Sequence, residues 1–193
     1  MAFLLFAVVA AVTPGPSNIM LTAAGAQAGI AGGLRCLLGV VSGMGVMMFV
    51  VPLGLGRLVL AHPLILQTLH WGGAGFLLWL SWRIATAKSR IDAESAPDPV
   101  GYLGAATFQW VNAKSWLVAV SAAGTFLGTE ATSAMVQAAS LAGLFILAAL
   151  PSGFLWLAFG AAIQRVLRTQ RRLRLFNLTM GALLALSIVL ILR

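Results

Sequence analysis

Long apolar runs alternate with short polar breaks along this chain, and the runs are too long for strands. Stretches on the scale of a bilayer fall at 3–27, 36–57, 64–83, 102–127, 134–161 and 175–192. Apart from Arg57 and Arg83 at their ends, Lys114 is the one charged side chain inside them. A spanning helix needs roughly 20 predominantly apolar residues. The pattern therefore predicts an all-α, polytopic membrane protein with six transmembrane helices. The first run carries a break, Thr13-Pro14-Gly15-Pro16-Ser17-Asn18, with apolar residues on both sides and no charged side chain before Arg35. Proline removes an N–H and clashes with the preceding turn, so two prolines around a glycine predict an interrupted helix. In hydrocarbon the freed amides and carbonyls cost several kcal/mol each unless something satisfies them. Such a break is expected to face a cavity rather than lipid.

Composition agrees. Of 193 residues 61% are hydrophobic and 8% charged, against about 25% charged in a soluble domain. The mean hydropathy is +1.00. The formal net charge of +8 belongs mainly to loops. It points to anionic lipid at a cytoplasmic face rather than to nucleic acid. Loops after the first, third and fifth runs hold Arg35; Arg83, Lys88 and Arg90; and Arg165, Arg168, Arg171, Arg172 and Arg174, while the opposite face holds Arg57 and Arg193. Nine against two places the odd loops in the cytoplasm and both termini outside. The N-terminus lacks the basic region of a cleaved signal peptide.

The segment 86–101, with Asp92, Glu94, Pro97, Asp98 and Pro99, is the clear hydrophilic linker. It separates a first three-helix repeat, 1–85, from a second, 102–193, within a single membrane domain. An odd number of spans per half makes the halves opposite in orientation, the inverted-repeat arrangement of many transporters. Echoes in the same order support it: Pro52-Leu53-Gly54 with Pro151-Ser152-Gly153, Gly73-Ala74 with Gly181-Ala182, and the break at 13–18 with Val111-Asn112-Ala113-Lys114. Glycines such as Gly39, Gly43, Gly72, Gly73 and Gly75 are read as sites of close helix packing.

Candidate chemistry gathers at the two breaks. Ser17 and Asn18 are expected to cap the half-helix that resumes at Ile19, whose N-terminus would favour a carboxylate. Lys114 is the expected companion, since a lysine near the bilayer centre costs about 2.5–3.5 kcal/mol and is functional by default. All four acids lie in loops, so a substrate carboxylate could fill the place of its missing partner. Gln109 and Asn112 precede Lys114 by five and two residues and need not share its helix face. The predicted substrate-binding set is Thr13, Pro14, Gly15, Pro16, Ser17, Asn18, Asn112 and Lys114.

Other chemistries find little support. Cys36 is the one cysteine, which excludes an internal disulfide or a thiol-disulfide conductor. The runs hold no cluster of carboxylates, histidines or thiolates for a metal exporter. His62 and His70 fall near outer ends of spans and read as interface residues, and the six tryptophans read as interface belts and packing. No catalytic residue, cofactor or resident metal is expected. A passive pore or assembly subunit stays open, as does a homo-oligomer.

The break at 13–18, the Gly29/Gly32/Gly33-Leu34 turn and Leu38-Gly39 resemble the amino-terminal motif of the LysE/RhtB family of amino-acid exporters. Val111-Asn112-Ala113-Lys114-Ser115-Trp116 resembles that family's second motif, Asn-Pro-Lys, and Gly73 to Arg83 is similar to its third helix. The resemblance covers nearly the whole chain. It implies a multi-pass protein of the bacterial inner membrane that exports amino acids or related small carboxylate metabolites. One departure stands out: Ala113 occupies the place of the family's proline, so the fourth span is expected to be less broken than in relatives.

Overall fold

A computed structural model describes residues 1–86, 100–127, 133–166 and 169–191. Most of the linker expected at 86–101, with its three acids, lies outside the described residues, as do Glu130, Arg168, Arg193 and the side chains of His70 and Arg165. Every regular element among the described residues is helical: α1 (Ala2–Val12), α2 (Pro16–Val50), a wide π-type turn (Val51–Leu55), α3 (Gly56–Ala61), α4 (Pro63–Ala85), α5 (Tyr102–Val111), α6 (Ala113–Phe126), α7 (Ala134–Val166) and α8 (Gln170–Ile191). The fold is all-α, and the apolar runs Pro16–Ala61 and Ala134–Ile163 are each long enough to cross a membrane.

Helix α2 is not one rod. Gly29 has φ 70° and ψ −172°, a region open essentially to glycine alone, and the chain folds back there. Positions equidistant from Gly29 meet the same residue of α7. A Cβ on Gly153 would touch both Leu21 and Leu37, and Cβ atoms on Gly25 and Gly33 would each run into Leu157. The two arms of α2 therefore form an antiparallel hairpin laid along α7.

Small residues set the contacts between helices, as expected where lipid removes the hydrophobic drive for association. A Cβ on Gly25 would lie 2.1 Å from the Leu157 carbonyl oxygen, and one on Gly160 would lie 2.0 Å from that of Thr22. The same close approach joins α2 to α5 at Gly39 and Gly43, and α4 to α5 at Gly73. Between α4 and α8, the Ser81 hydroxyl donates to the Gly181 carbonyl at 2.7 Å. The packing reading thus holds for Gly39, Gly43 and Gly73. Gly72 makes only ordinary contact, and nothing lies within 4 Å of a Cβ on Gly75. The proline echo diverges in structure: Pro52 sits in the widened turn, where Gly54 has φ 121°, whereas Pro151 is carried inside α7.

Candidate functional site

The predicted break is present, and its construction differs from expectation in one respect. α1 ends at Val12, the chain runs extended through Gly15, and α2 resumes at Pro16. Gly15 is the N-cap of α2, and no side chain caps that helix end. Asn18 instead turns back toward α1: its amide donates to the carbonyls of Ala11 at 3.1 Å and Thr13 at 2.9 Å. Proline at the first helical position lets α2 start without help, because its missing N–H would be unpaired there anyway. Asn18 is thereby left free to satisfy carbonyls at the end of α1. Thr13 also donates its hydroxyl to the Val9 carbonyl at 2.6 Å.

The second break is also present, despite Ala113. Asn112 leaves the helical region at φ −86° and ψ 110° and serves as N-cap of α6, its side-chain oxygen accepting from the Lys114 backbone N–H at 3.2 Å. Asparagine is among the strongest N-caps, so it ends α5 and starts α6 without a proline. The fourth apolar run is thus broken in this chain, and Asn112 supplies the stop.

Because α5 stops at Asn112, residues that one continuous helix would spread around its surface converge on the first break. The Lys114 ammonium donates to the Thr13 carbonyl, and its side chain lies across Gly15, where a Cβ would be 2.8 Å from the Lys114 Cδ. Ser17 donates to the Gln109 side-chain oxygen at 3.1 Å and accepts from the Asn112 amide at 3.1 Å. Ser115 donates to the same Gln109 oxygen at 2.9 Å. The Gln109 amide is anchored on the Ala105 carbonyl one turn back. Gln109 and Asn112 are almost wholly buried, at 0% and 1% exposure. A buried polar group this enclosed requires its partners, and Ser17 supplies one to each from across the junction.

Of the predicted set, Thr13, Gly15, Ser17, Asn18, Asn112 and Lys114 meet at this junction. Pro14 and Pro16 bend the chain there and line its outer side. Gln109 and Ser115 join them at the junction, outside the predicted set. Their spacing in a helix broken at Asn112 was the available signal.

Two spaces adjoin the junction. A chamber of about 50 Å³ is lined by Ser17, Asn18, Gln109, Asn112, Lys114 and Ser115 together with apolar residues such as Met44 and Phe145. That holds a few waters and falls well below the roughly 300 Å³ of a small ligand pocket. A larger, mostly apolar vestibule of about 620 Å³ lies beyond, between α6 and the ends of α3, α4 and α8. Gly15, Asn112 and Lys114 border both spaces and so form the partition between them. Among the described residues no group of histidine, cysteine or acidic side chains could hold a metal.

Comparison with known proteins decides the class. The family model for LysE type translocators matches residues 8–192. The chain belongs to that family. It is 33% identical over 172 residues to a cysteine/O-acetylserine efflux protein of Salmonella typhimurium strain LT2, spanning 86% of this chain and 85% of the relative. It is 30% identical over 176 residues to a protein of the same description from Escherichia coli K12, spanning 89% and 87%. No solved structure matches. This LysE-type translocator is a bacterial membrane protein and a transporter, not an enzyme. Its function is amino-acid export, with a small molecule as its cargo, and the pore and metal-exporter readings are not favoured.

Proposed function

We propose that the junction of the two breaks is the substrate site and that it takes a small amino acid with an uncharged side chain, of the cysteine or O-acetylserine kind named for the relatives. The observation that carries this reading is the placement of the Lys114 ammonium on the Thr13 carbonyl, between the end of α1 and the starts of α2 and α6. That internal contact occupies the two groups that the ends of a zwitterion would use. An incoming carboxylate competes for Lys114 and for the positive helix starts at Pro16 and Ala113. The Thr13 carbonyl so released then receives the substrate ammonium. Lys114 exchanges a neutral carbonyl for a carboxylate, and the Thr13 carbonyl exchanges one ammonium donor for another, which is how a cargo opens a packed junction without leaving buried groups unpaired.

The rest of the lining supports a neutral side chain. Ser17, Gln109, Asn112 and Ser115 carry no charge and are tied to one another, so nothing there would pair a second cation. The helices group as six spans in two halves: 1–85, whose first span is α1 with the first arm of α2, and 102–193, whose first span is α5 with α6. Breaks at the matching first spans support an inverted repeat, in which one half rocks against the other around the junction. We place the protein in the inner membrane, with odd loops and anionic lipid on the cytoplasmic side and both termini outside. The vestibule lies at the end of the molecule marked by His62, where α3 meets α4, and this makes it the outward exit.

Proteoliposome counterflow tests the reading. Labelled cysteine and O-acetylserine should exchange with wild-type protein, and Lys114→Met should abolish exchange while insertion and folding persist. Full exchange by that variant would overturn the role of Lys114.

A further inference from the structure

The vestibule has a chemistry of its own that amino-acid export does not require. Its walls are Val59, Leu60, Leu66, Leu69, Leu117 and Val120, and at about 620 Å³ it lies within the roughly 300–1,000 Å³ of pockets for drug-sized ligands. Polar side chains among the described residues of its lining are few: Asn112, Lys114, Ser187 and the Trp116 indole. Three of them are occupied. The Trp116 N–H donates to the Trp110 carbonyl. Asn112 spends its amide on Ser17 and its oxygen on the Lys114 backbone N–H, and Ser187 donates to the Leu184 carbonyl of its own helix. Lys114 differs, because an ammonium carries three donors and the Thr13 carbonyl takes one. Among the described residues no acidic side chain lines the space.

We propose that this vestibule is a second binding site, for an amphiphilic monocarboxylate: a medium-chain fatty acid whose head reaches Lys114 at the partition and whose single tail lies among the leucines and valines. The arrangement selects for one anionic acceptor on an apolar body. An α-ammonium on the ligand would find no free side-chain acceptor among the described residues of the walls, which sets this site apart from the junction behind it. Among the described residues Lys114 is the one cation on the lining, which matches a single anionic head. A ligand seated there covers the partition from outside and would obstruct release of cargo. Occupancy itself does not depend on export, so the site can be tested whether or not the proposed substrate is right.

Trp116 lines the vestibule and reports on it. The full chain in nanodiscs is titrated with 10-bromodecanoate, whose bromine quenches indole fluorescence on contact. The expected result is a saturable quench that Trp116→Phe removes, with 10-bromodecanol weaker by about tenfold, since the alcohol forgoes a charge-assisted bond. Val120→Phe, which fills the space, should weaken binding of both probes. Lys114→Met should leave the space intact and abolish the preference for the carboxylate over the alcohol. Non-saturable quenching, equal affinity for acid and alcohol in the wild-type chain, or quenching by brominated phosphatidylglycerol but not by bromodecanoate would each overturn the assignment.

Discussion

Ser17 and Gln109 stand 92 positions apart and share a hydrogen bond of 3.1 Å, so the break at 13–18 is fastened to the end of α5 beside the break at Asn112. Gln109 accepts from Ser115 as well, which makes its side-chain oxygen the common acceptor of the junction. Gln109→Leu would leave two hydroxyls without their acceptor in a buried setting, at roughly 1–3 kcal/mol each. Counterflow should fall by about tenfold or more, a loss of 1.4 kcal/mol per decade. Ser17→Ala alone should cost less. The double variant Ser17→Ala/Gln109→Leu should be less damaging than the sum, with a coupling of about 0.5–3 kcal/mol. Additive losses in the cycle would show that the two residues act separately.

Gly15→Ala probes the partition through a different atom. Gly15 has φ −173° and ψ 177°, extended backbone that alanine adopts without strain. The added methyl would meet the Lys114 side chain, 2.8 Å from Cδ and 3.1 Å from Nζ, and a flexible side chain yields where backbone would not. Lys114 should therefore leave Thr13 while the fold persists. The expected outcome is export reduced by about tenfold, the scale of a charge-assisted hydrogen bond, with an unchanged melting temperature in detergent. Combined with Lys114→Met, the glycine change should add nothing further to the loss of export.

Much of this was legible in the sequence because hydrocarbon is an unforgiving solvent. Apolar runs must be helices there, and a Pro-Gly-Pro step within one must break it, so the all-α class and the first half of the candidate site followed from residue types. The second half was harder to see. Asn112 breaks α5 by capping α6 rather than by geometry forced at a proline, and capping strength depends on what the neighbouring residues leave exposed. Gln109 was obscured for the same reason: only once the helix stops at Asn112 do Gln109 and Ser115 turn to one partner. The role of Asn18 could not be read from spacing, since a cap and a back-bond to α1 use the same side chain, and the choice was made by Pro16. The hairpin at Gly29 was visible as a glycine-rich turn, while its tightness depends on a positive φ that composition does not reveal.

Two glycines in α7 should respond to alanine with opposite signs. At Gly160 a Cβ would sit 2.0 Å from the Thr22 carbonyl oxygen, a backbone atom of the opposing arm of α2. The helices must separate there, and overpacking of this kind costs about 1–3 kcal/mol. At Gly143 nothing lies within 4 Å of an added Cβ, so alanine gains the usual helical advantage of roughly 0.5–1 kcal/mol. Thermal unfolding in one detergent should show a lowered midpoint for Gly160→Ala and an equal or raised one for Gly143→Ala. Equal responses would contradict the close crossing of α2 and α7.

Ala113→Pro asks whether the break at Asn112 is already shaped for the residue that the resemblance leads one to expect there. Ala113 is the first helical residue of α6, where proline is favoured because its missing N–H would be unpaired in any case. Asn112, at φ −86° and ψ 110°, occupies the extended region that a following proline demands. Neither the native bend nor its hydrogen bonds would change, and the unfolded chain would lose freedom. The substitution should raise stability by about 0.4–1 kcal/mol with counterflow retained. Addition of Asn112→Ala to the proline variant then separates two contributions. The bend should persist on proline alone, while export should fall because Ser17 loses the Asn112 amide and the Lys114 backbone loses its cap. If the proline variant instead unfolds or stops transporting, the junction depends on a backbone freedom at 113 that its observed geometry does not require.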